Sequence, residues 1–385
     1  MERVFIASCG LVKVGKLKEK GIGDLMAEAS LQAMRQRPEL IPDRVIVGNM
    51  FSGVGSRQEH LGAYLSTLLG LGNIPAYKVE AACGSGGVAV HNAYLAIKSG
   101  ESSAVLVTGV EKMTDLDVNE ATSALAMADN QEFGASLGAT FTSLNALTYR
   151  MYLDRYAAKP EELAEFPVLS HKNALNSPHA MFKKMIQVED VVNSPIISDP
   201  IRLLDSSPLC DGAASLLIVN EEIADRLKGQ RVEILSSEVA VNQLGLAERQ
   251  DPLDYTATRS AAKRALEKSG VKLGDVDFME IHDAFSITSA LTLESIGLCE
   301  KGRAGKEAQR GRFEIKGELP INTFGGLKAR GHPVGASGVY EIAEAYLQLS
   351  GQAGLCQVPD ARIGLTHNMG GVDTTTAITI LRGGV

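Results

Sequence analysis

Short runs of β-branched and other apolar residues alternate with longer amphipathic runs along most of the chain. Residues 45–50 (VIVGNM) and 104–109 (AVLVTG) are predicted to be buried strands, because short continuous apolar runs are typical of strands covered on both faces. Between them, residues 84–99 (GSGGVAVHNAYLAIKS) have the length and small side chains of a packed helix. Strands that alternate with helices in this way indicate an α/β fold built of βαβ units.

A second glycine-led helix is predicted near the C-terminus, over residues 335–350, with strands after it at 363–366 and 374–381. It aligns with the first glycine-led helix without a gap at an offset of 251 positions, and both helices end at a Ser-Gly pair before a strand. Self-similarity of this kind indicates an internal duplication.

The duplication divides the chain into two similar α/β halves. We expect the N-terminal half to span residues 1–228 and the C-terminal half to span residues 229–385. Residues from about 115 to 200 break the pattern with helical stretches and polar, proline-bearing segments. We interpret them as an insertion that covers one end of the sheet, where substrate loops are usually found.

Composition and charge limit the classes of partner and compartment. The chain has 38 Lys and Arg against 46 Asp and Glu, a formal net charge of −8. This charge argues against nucleic acid or a membrane surface, because phosphate neutralisation needs clustered positive charge. No apolar run approaches the roughly 20 residues that span a bilayer, and none resembles a signal peptide. The five cysteines form no CxxC pair, so we predict a cytoplasmic protein without a metal site.

Cys83 is predicted to lie where a strand (residues 77–80) turns into the first glycine-led helix. The unpaired N–H groups at the start of that helix would lower the pKa of the thiol and make it nucleophilic. Gly84, Gly86 and Gly87 leave room for a substrate to approach. The alternative is a small buried cysteine at a crowded crossing, and position alone does not decide between the two.

His332 lies in a loop just before the second glycine-led helix, between Gly331 and Pro333. Pro333 prevents a helix from beginning at the histidine and fixes its backbone. A histidine held in this way can be a base toward a thiol and a donor to an oxyanion. The alternative is a histidine that only packs the loop.

Two further segments follow apolar strands. His282 could place a catalytic water, whereas its neighbour Asp283 could cap the next helix. The pair Gly370-Gly371 follows the strand at 363–366 and exposes a backbone N–H of the kind that forms oxyanion holes. The alternative for this pair is a tight turn between two core strands.

Together these segments resemble the thiolase family over nearly the whole chain. Residues 83–86 (CGSG) resemble the family's nucleophile turn, and residues 209–214 (LCDGAA) resemble the signature that closes its N-terminal half. Residues 322–338 (NTFGGLKARGHPVGASG) are very similar to the family's histidine block. The resemblance implies a five-layer α/β/α/β/α thiolase-like fold with two duplicated βαβ halves. It also implies a coenzyme A thioester as substrate, with no covalently bound cofactor.

The resemblance further implies ping-pong acyl transfer. Cys83 would take the acyl group, and a second acyl-CoA would lose a Cα proton and attack the resulting thioester. His332 would activate Cys83 and help to stabilise the enolate of the second substrate. The N–H groups of Cys83 and Gly370 would hold the oxyanion. The other oxyanion or substrate-binding residues that it implies are Gly335, Ser337 and Asn368.

The chain departs from the family at the group that usually takes the Cα proton. Thiolases carry a second cysteine for this purpose at one of two places, and here Ala284 stands at one and Asn368 at the other. We therefore expect His367 to carry the Cα proton and His282 to bind a water or the oxyanion.

Among thiolases, the chain most resembles archaeal-type acetoacetyl-CoA thiolases and is related to the sterol-carrier type. This implies an acetyl-CoA acetyltransferase that forms acetoacetyl-CoA, possible supply of hydroxymethylglutaryl-CoA synthesis and the mevalonate pathway, and a homodimer or homotetramer. It also implies a complex with hydroxymethylglutaryl-CoA synthase and a small OB-fold, zinc-ribbon protein. Two alternatives stay open: an acyltransferase or aldolase that acts on another substrate, and a non-catalytic scaffold subunit for an acyl-CoA-binding partner.

Overall fold

The alternating apolar runs fold as strands and helices in the predicted order. The computed structural model describes residues 2–384. Its strands are β1 Val4–Leu11, β2 Arg44–Gly48, β3 Ala76–Val79, β4 Ala104–Glu111, β5 Ile196–Ser198, β6 Ile201–Arg202, β7 Gly212–Asn220, β8 Val232–Val241, β9 Phe278–Ile281, β10 Ile363–Gly370 and β11 Thr375–Arg382. Its α-helices are α1 Ile22–Arg35, α2 Ser52–Gly55, α3 Leu61–Leu68, α4 Ser85–Lys98, α5 Val118–Ala126, α6 Phe141–Tyr156, α7 Pro160–Ala174, α8 Val188–Val192, α9 Glu221–Arg226, α10 Thr256–Ser269, α11 Ser286–Ile296, α12 Ala304–Gln309 and α13 Ser337–Leu349.

The main sheet shows the internal duplication directly. Its nine strands are hydrogen-bonded in the order β3-β2-β4-β7-β1-β8-β11-β10-β9. In the first half, β2 and β4 are parallel, and β4, β7 and β1 are antiparallel neighbours. In the second half, β9 and β10 are parallel, and β10, β11 and β8 are antiparallel neighbours. The two halves meet at β1 and β8, which share only two paired positions.

Helices pack on the sheet in three layers. Helices α1 and α3 cover the first half, and α10 and α11 lie on the second half. Helices α4 and α13 contact strands of both halves, so the sheet curves around them and encloses them. The result is five layers, α/β/α/β/α, with the two glycine-led helices at the centre. The expected boundary at residue 228 falls between α9 and β8 and stays a prediction.

The two central helices touch through their first turns. A Cβ atom added to Gly86 would lie 2.9 Å from the carbonyl oxygen of Gly335. One added to Gly338 would lie 2.3 Å from the backbone nitrogen of Gly87. No ordinary side chain fits at such distances, so the glycines let the two backbones approach directly. The residues just before each helix are therefore held near one another.

The insertion at about 115–200 folds as helices α5 to α8 and strand β5 beside one end of the central layer. A bilayer-spanning helix is not found between residues 2 and 384, because each described helix is too short or too polar for that.

The contact at Gly338 predicts a large loss of stability on substitution. Gly338→Ala forces a methyl group onto the backbone of Gly87 and the side chain of Asn368, and we expect the free energy of unfolding to fall by about 1–3 kcal/mol or more. Gly72→Ala is the control, because a Cβ there meets nothing within 4 Å. Urea unfolding midpoints measure both variants, and equal midpoints would contradict the role of this contact.

Candidate active site

Cys83 lies in the turn between β3 and α4, as the sequence predicts. The preceding residue, Ala82, has a φ of 50°, in the left-handed region that non-glycine residues rarely adopt. Its backbone N–H donates to the carboxylate of Glu80 at 2.6 Å, which helps to hold the strained turn. The thiol is almost completely buried, with 1% of the residue exposed.

The environment of Cys83 contradicts the expectation that the helix start lowers the pKa of the thiol. Burial raises this pKa to about 12, and the carboxylate of Glu111 adds to the effect. The N–H groups of Cys83 itself and of Gly371 act in the opposite direction but are outweighed. At neutral pH the residue is a thiol, so a base must remove its proton during attack.

The side chain of His332 is oriented by Ser337 in the first turn of α13. Nδ1 of His332 lies 2.7 Å from the hydroxyl of Ser337, and that hydroxyl donates to the carbonyl of Pro333 at 3.2 Å. A hydroxyl that donates to Pro333 must accept from Nδ1, which places the histidine proton on Nδ1. Nε2 therefore keeps its lone pair, and it is buried without a partner among the described residues.

His332 is uncharged at neutral pH. Burial lowers its pKa to about 3, and the nearby guanidinium of Arg330 adds to this shift. Since Nε2 carries no proton, His332 can accept one, which is what the neutral thiol requires.

His282 has the opposite tautomer, because Asn368 holds it. The amide of Asn368 is fixed: its oxygen accepts from the N–H of Gly87 at 3.0 Å, and its nitrogen donates to the carbonyl of Cys83 at 3.3 Å. The same nitrogen lies 3.3 Å from Nδ1 of His282, and the N–H of Met369 lies 3.4 Å from it. Nδ1 is thus an acceptor, and Nε2 carries the proton as a donor without a partner among the described residues.

The three groups meet at one point. The sulfur of Cys83, one ring nitrogen of His282 and one ring nitrogen of His332 all lie within 4.8 Å of one another. The two rings are perpendicular, with centroids 4.9 Å apart. Three groups at this spacing could also hold a metal ion, which would require the hydrogen of His282 to leave Nε2. The arrangement combines a nucleophile, a proton acceptor and a hydrogen-bond donor.

The structure does not support the expectation that His367 carries a proton in the site. Strand β10 continues to Gly370, four residues beyond the predicted end of this strand, so His367 and Asn368 point to opposite faces of it. Nε2 of His367 bonds to the hydroxyl of Thr258 at 3.0 Å, and Nδ1 accepts from the N–H of His282 at 3.4 Å. Both ring nitrogens are engaged away from the thiol.

Two backbone assignments, those of Gly335 and Gly370, also differ from expectation. The N–H of Gly335 donates to Glu111 at 3.0 Å and does not face the substrate space. Gly370 packs against the backbone of Gly84, and the N–H beside the sulfur of Cys83 belongs to Gly371, one residue further on. The shift by one residue follows from the close approach of two backbones, which sequence spacing does not reveal.

Asp283 does not cap a helix, since α11 begins only at Ser286. Its carboxylate accepts from the N–H of Leu327 at 2.6 Å and from the hydroxyl of Ser170 at 2.9 Å. Leu327 lies in a π-helical turn, Gly326–Arg330, that leads into the loop of His332. Asp283 therefore ties the two histidine segments together.

Two buried carboxyl groups were missed as site components. Glu111, at the end of β4, accepts from the side chain of Asn49 at 2.7 Å and from the N–H groups of Met50 and Gly335. Burial raises its pKa to about 7. Glu341, in α13, lies 3.9 Å from Nδ1 of His282. The available sequence signal was a glutamate about one turn beyond the histidine block, in a helix with few charged residues.

A cavity of about 810 Å³ leads to Cys83 and His332. Much of its wall comes from the insertion, as the sequence predicts, and side chains such as Phe141, Ile197 and Leu125 make it largely apolar. Two exposed lysines, Lys16 and Lys184, also line it.

A third lysine of the cavity, Lys328, is buried. Its ammonium group donates to the carbonyl of Ser206 at 2.6 Å, and burial lowers its pKa to about 8.

Comparison with known proteins covers both halves. The family model described as "Thiolase, N-terminal domain" matches residues 4–222, and "Thiolase C-terminal domain-like" matches residues 239–383. The acetyl-CoA acetyltransferase of Methanothermobacter thermautotrophicus is 40% identical over 384 residues and 99% of each chain. Sterol carrier protein 2 of Bos taurus is 31% identical over 96% of this chain and 70% of its own length.

Solved structures share the fold. The structure of an "Ltp2-ChsH2(DUF35) aldolase" superposes with a TM-score of 0.84 and 24% sequence identity, over 98% of this chain and 97% of that one. At this identity the likeness concerns the fold.

The bond between Ser337 and His332 predicts a tautomer that can be measured. In Ser337→Ala we expect the proton of His332 to move from Nδ1 to Nε2 in most molecules, because its acceptor is gone. Nitrogen NMR shifts of the ring distinguish the two forms. Ser350→Ala removes a hydroxyl from the other end of α13 and is expected to leave the ring unchanged. A wild-type ring protonated on Nε2 would contradict the assignment.

The raised pKa of Cys83 predicts how its reactivity depends on pH. With the pKa at about 12, the thiolate fraction increases tenfold for each pH unit throughout the neutral range. We expect alkylation of Cys83 by iodoacetamide to accelerate about tenfold per unit from pH 7 to 9 without a plateau. Peptide mass spectrometry follows this cysteine alone, with Cys83→Ala as the control. A plateau below pH 8 would show a preformed thiolate.

Proposed function

The chain belongs to the thiolase family and is an acyltransferase with a coenzyme A thioester as substrate, and from this premise we propose that it condenses two acetyl-CoA molecules into acetoacetyl-CoA. The family, the five-layer fold and the thioester substrate predicted from the sequence are confirmed. The observation that carries the finer proposal is the meeting of Cys83, His332 and His282 in complementary protonation states.

In the first half-reaction, Cys83 attacks the thioester carbon of acetyl-CoA. Nε2 of His332 takes the thiol proton as the carbon–sulfur bond forms and returns it to the departing sulfur of coenzyme A. The oxygen that becomes negative is stabilised by the N–H groups of Cys83 and Gly371. Attack and proton removal occur together, because the resting thiol and imidazole are both neutral.

In the second half-reaction, Nε2 of His332 removes the Cα proton of a second acetyl-CoA. The oxygen of that thioester accepts a hydrogen bond from Nε2 of His282, which stabilises the enolate. The enolate carbon attacks the acetyl group on Cys83, and His332 returns the proton to the departing sulfur. One base thus serves both half-reactions, which offers a route around the absent second cysteine.

The cavity supports coenzyme A and leaves room for more than acetyl. The side chains of Lys16 and Lys184 are basic and could bind the phosphate groups of coenzyme A. The largely apolar space of about 810 Å³ favours a second candidate, an acyltransferase or carbon–carbon lyase with a larger acyl group. The structure named as an Ltp2-ChsH2(DUF35) aldolase has the same fold as this chain, so the fold is compatible with the second candidate.

A small partner and self-association complete the proposal. The solved aldolase neighbour is named for two components, Ltp2 and ChsH2(DUF35). By analogy, we propose that this chain also binds a small partner protein. A homodimer or homotetramer, a hydroxymethylglutaryl-CoA synthase partner, a role in the mevalonate pathway and a cytoplasmic location stay predictions from the resemblance.

The proposal predicts a covalent intermediate. After incubation with acetyl-CoA, the intact mass of the wild-type chain should increase by one acetyl group, whereas Cys83→Ala should stay unmodified, because it has no nucleophile at this position. In His332→Ala, acetylation of Cys83 should be slower by a factor of about 100 or more, because the proposed base is missing.

The same measurement separates the candidates. An adduct from longer or ring-containing acyl-CoA but not from acetyl-CoA would favour the second candidate. No adduct from any of these donors, with or without a small partner protein, would contradict the enzyme and favour a scaffold subunit.

A further inference from the structure

Behind His282 lies a buried glutamate that the proposed mechanism does not use. Glu341 is 1% exposed, and neither of its carboxyl oxygens has a hydrogen-bond partner among the described residues. Its Oε1 is 3.9 Å from Nδ1 of His282, on the side of the ring opposite to the nitrogen that faces the site. An unpartnered buried carboxyl group is costly, so its presence next to a site histidine requires an explanation.

Burial and the neighbouring carboxyl groups favour the protonated form of Glu341. The guanidinium of Arg330 is fully buried and donates to the carboxylate of Glu344 at 2.6 Å. Glu344 therefore neutralises much of the positive charge of Arg330. Burial raises the pKa of Glu341 well above its usual value, and the guanidinium of Arg330 opposes this effect without overcoming it. The carboxyl groups of Glu344, Asp283 and Glu280 raise the pKa further, and His282 beside it is uncharged. These effects favour the neutral carboxyl group, which carries an O–H that can be donated.

We propose that Glu341 is a positioning residue that holds a reserve proton for His282, which makes His282 a general acid in removal of the Cα proton. The inference rests on the proposed function and extends it. His282 would give its Nε2 proton to the thioester oxygen and receive a proton at Nδ1 from Glu341. The carboxyl group replaces the help that a second cysteine gives elsewhere in the family.

The protons and electrons balance at each stage. Nε2 of His332 takes the Cα proton, and the electron pair of the carbon–hydrogen bond forms the double bond of an enol. The oxygen takes the Nε2 proton of His282, and the proton of Glu341 moves to Nδ1, so His282 stays neutral and Glu341 becomes a carboxylate. When the enol carbon attacks the acetyl group, both protons return along the same route. The carbon–sulfur bond then breaks, and His332 protonates Cys83.

The resting geometry allows this transfer. The Asn368 and Met369 donors reach Nδ1 at 3.3 and 3.4 Å, which are long hydrogen bonds that leave the lone pair weakly engaged. Glu341 needs to approach Nδ1 by about 1 Å to form a hydrogen bond. Catalytic hydrogen bonds are often long in unliganded sites and tighten in the reacting complex.

Exchange of the Cα protons of acetyl-CoA with deuterium from solvent tests the relay directly. Glu341→Gln keeps the shape of the side chain and lacks the acidic proton. We expect exchange and condensation to slow about 100-fold with KM little changed, and Cys83 acetylation to stay within about threefold of wild type. The wild-type exchange rate should fall as pH rises and Glu341 ionises, and this alkaline limb should be absent from the variant.

Glu280→Gln is the matched control. Glu280 is equally buried in the same cluster, but its Oε1 accepts from Thr323. The carboxyl oxygen found within 4 Å of Nδ1 of His282 belongs to Glu341. We expect near wild-type exchange from it. Equal losses in the two Gln variants would overturn the relay.

A loss of acetylation together with exchange in Glu341→Gln would instead indicate a structural defect. In that case Glu341→Asp decides, because it keeps an acid at this position: restored exchange supports the relay, and no restoration overturns it. Failure of the proposed function looks different, since the wild type would then form an acetyl adduct without acetoacetyl-CoA while the exchange assay still reports on Glu341.

Discussion

The site depends on direct contact between the first turns of α4 and α13. Glycine is required there because each helix occupies the space where the other would have Cβ atoms. Cys83, the proposed nucleophile, precedes one helix, and His332, the proposed base, precedes the other. The distance between them is therefore set by backbone packing in the centre of the molecule. Buried helices on both sides of a curved sheet make that distance rigid.

The chemistry follows from partners one step behind the reacting groups. Ser337 and Asn368 contact the two histidines on their Nδ1 atoms and impose opposite tautomers, so one ring accepts where the other donates. Burial keeps the thiol and both rings uncharged until substrate arrives. The resting site therefore contains neutral groups and not a thiolate–imidazolium ion pair. In the proposed reaction, charge develops only when the substrate reacts.

The sequence predicts the features that local patterns determine. Short apolar runs, the two glycine-led helices and the residues immediately before them identify the five layers and the positions of Cys83 and His332. Prediction failed where tertiary structure decides: β10 extends past its apolar run, which turns His367 to the wrong face, and burial outweighs the helix dipole at the thiol. Glu341 is visible in the sequence, but its approach to His282 joins two segments far apart in the chain, so spacing could not reveal that they are neighbours.

The duplicated turns differ in the side chains that they bring to the proposed site. At the offset of 251 positions, Cys83 corresponds to Val334, so the second copy of the turn has an inert side chain where the first has the proposed nucleophile. The second copy contributes the histidine instead. The two copies of the repeat thus supply different members of the proposed set of reacting groups, so the proposed site draws on both halves of the chain.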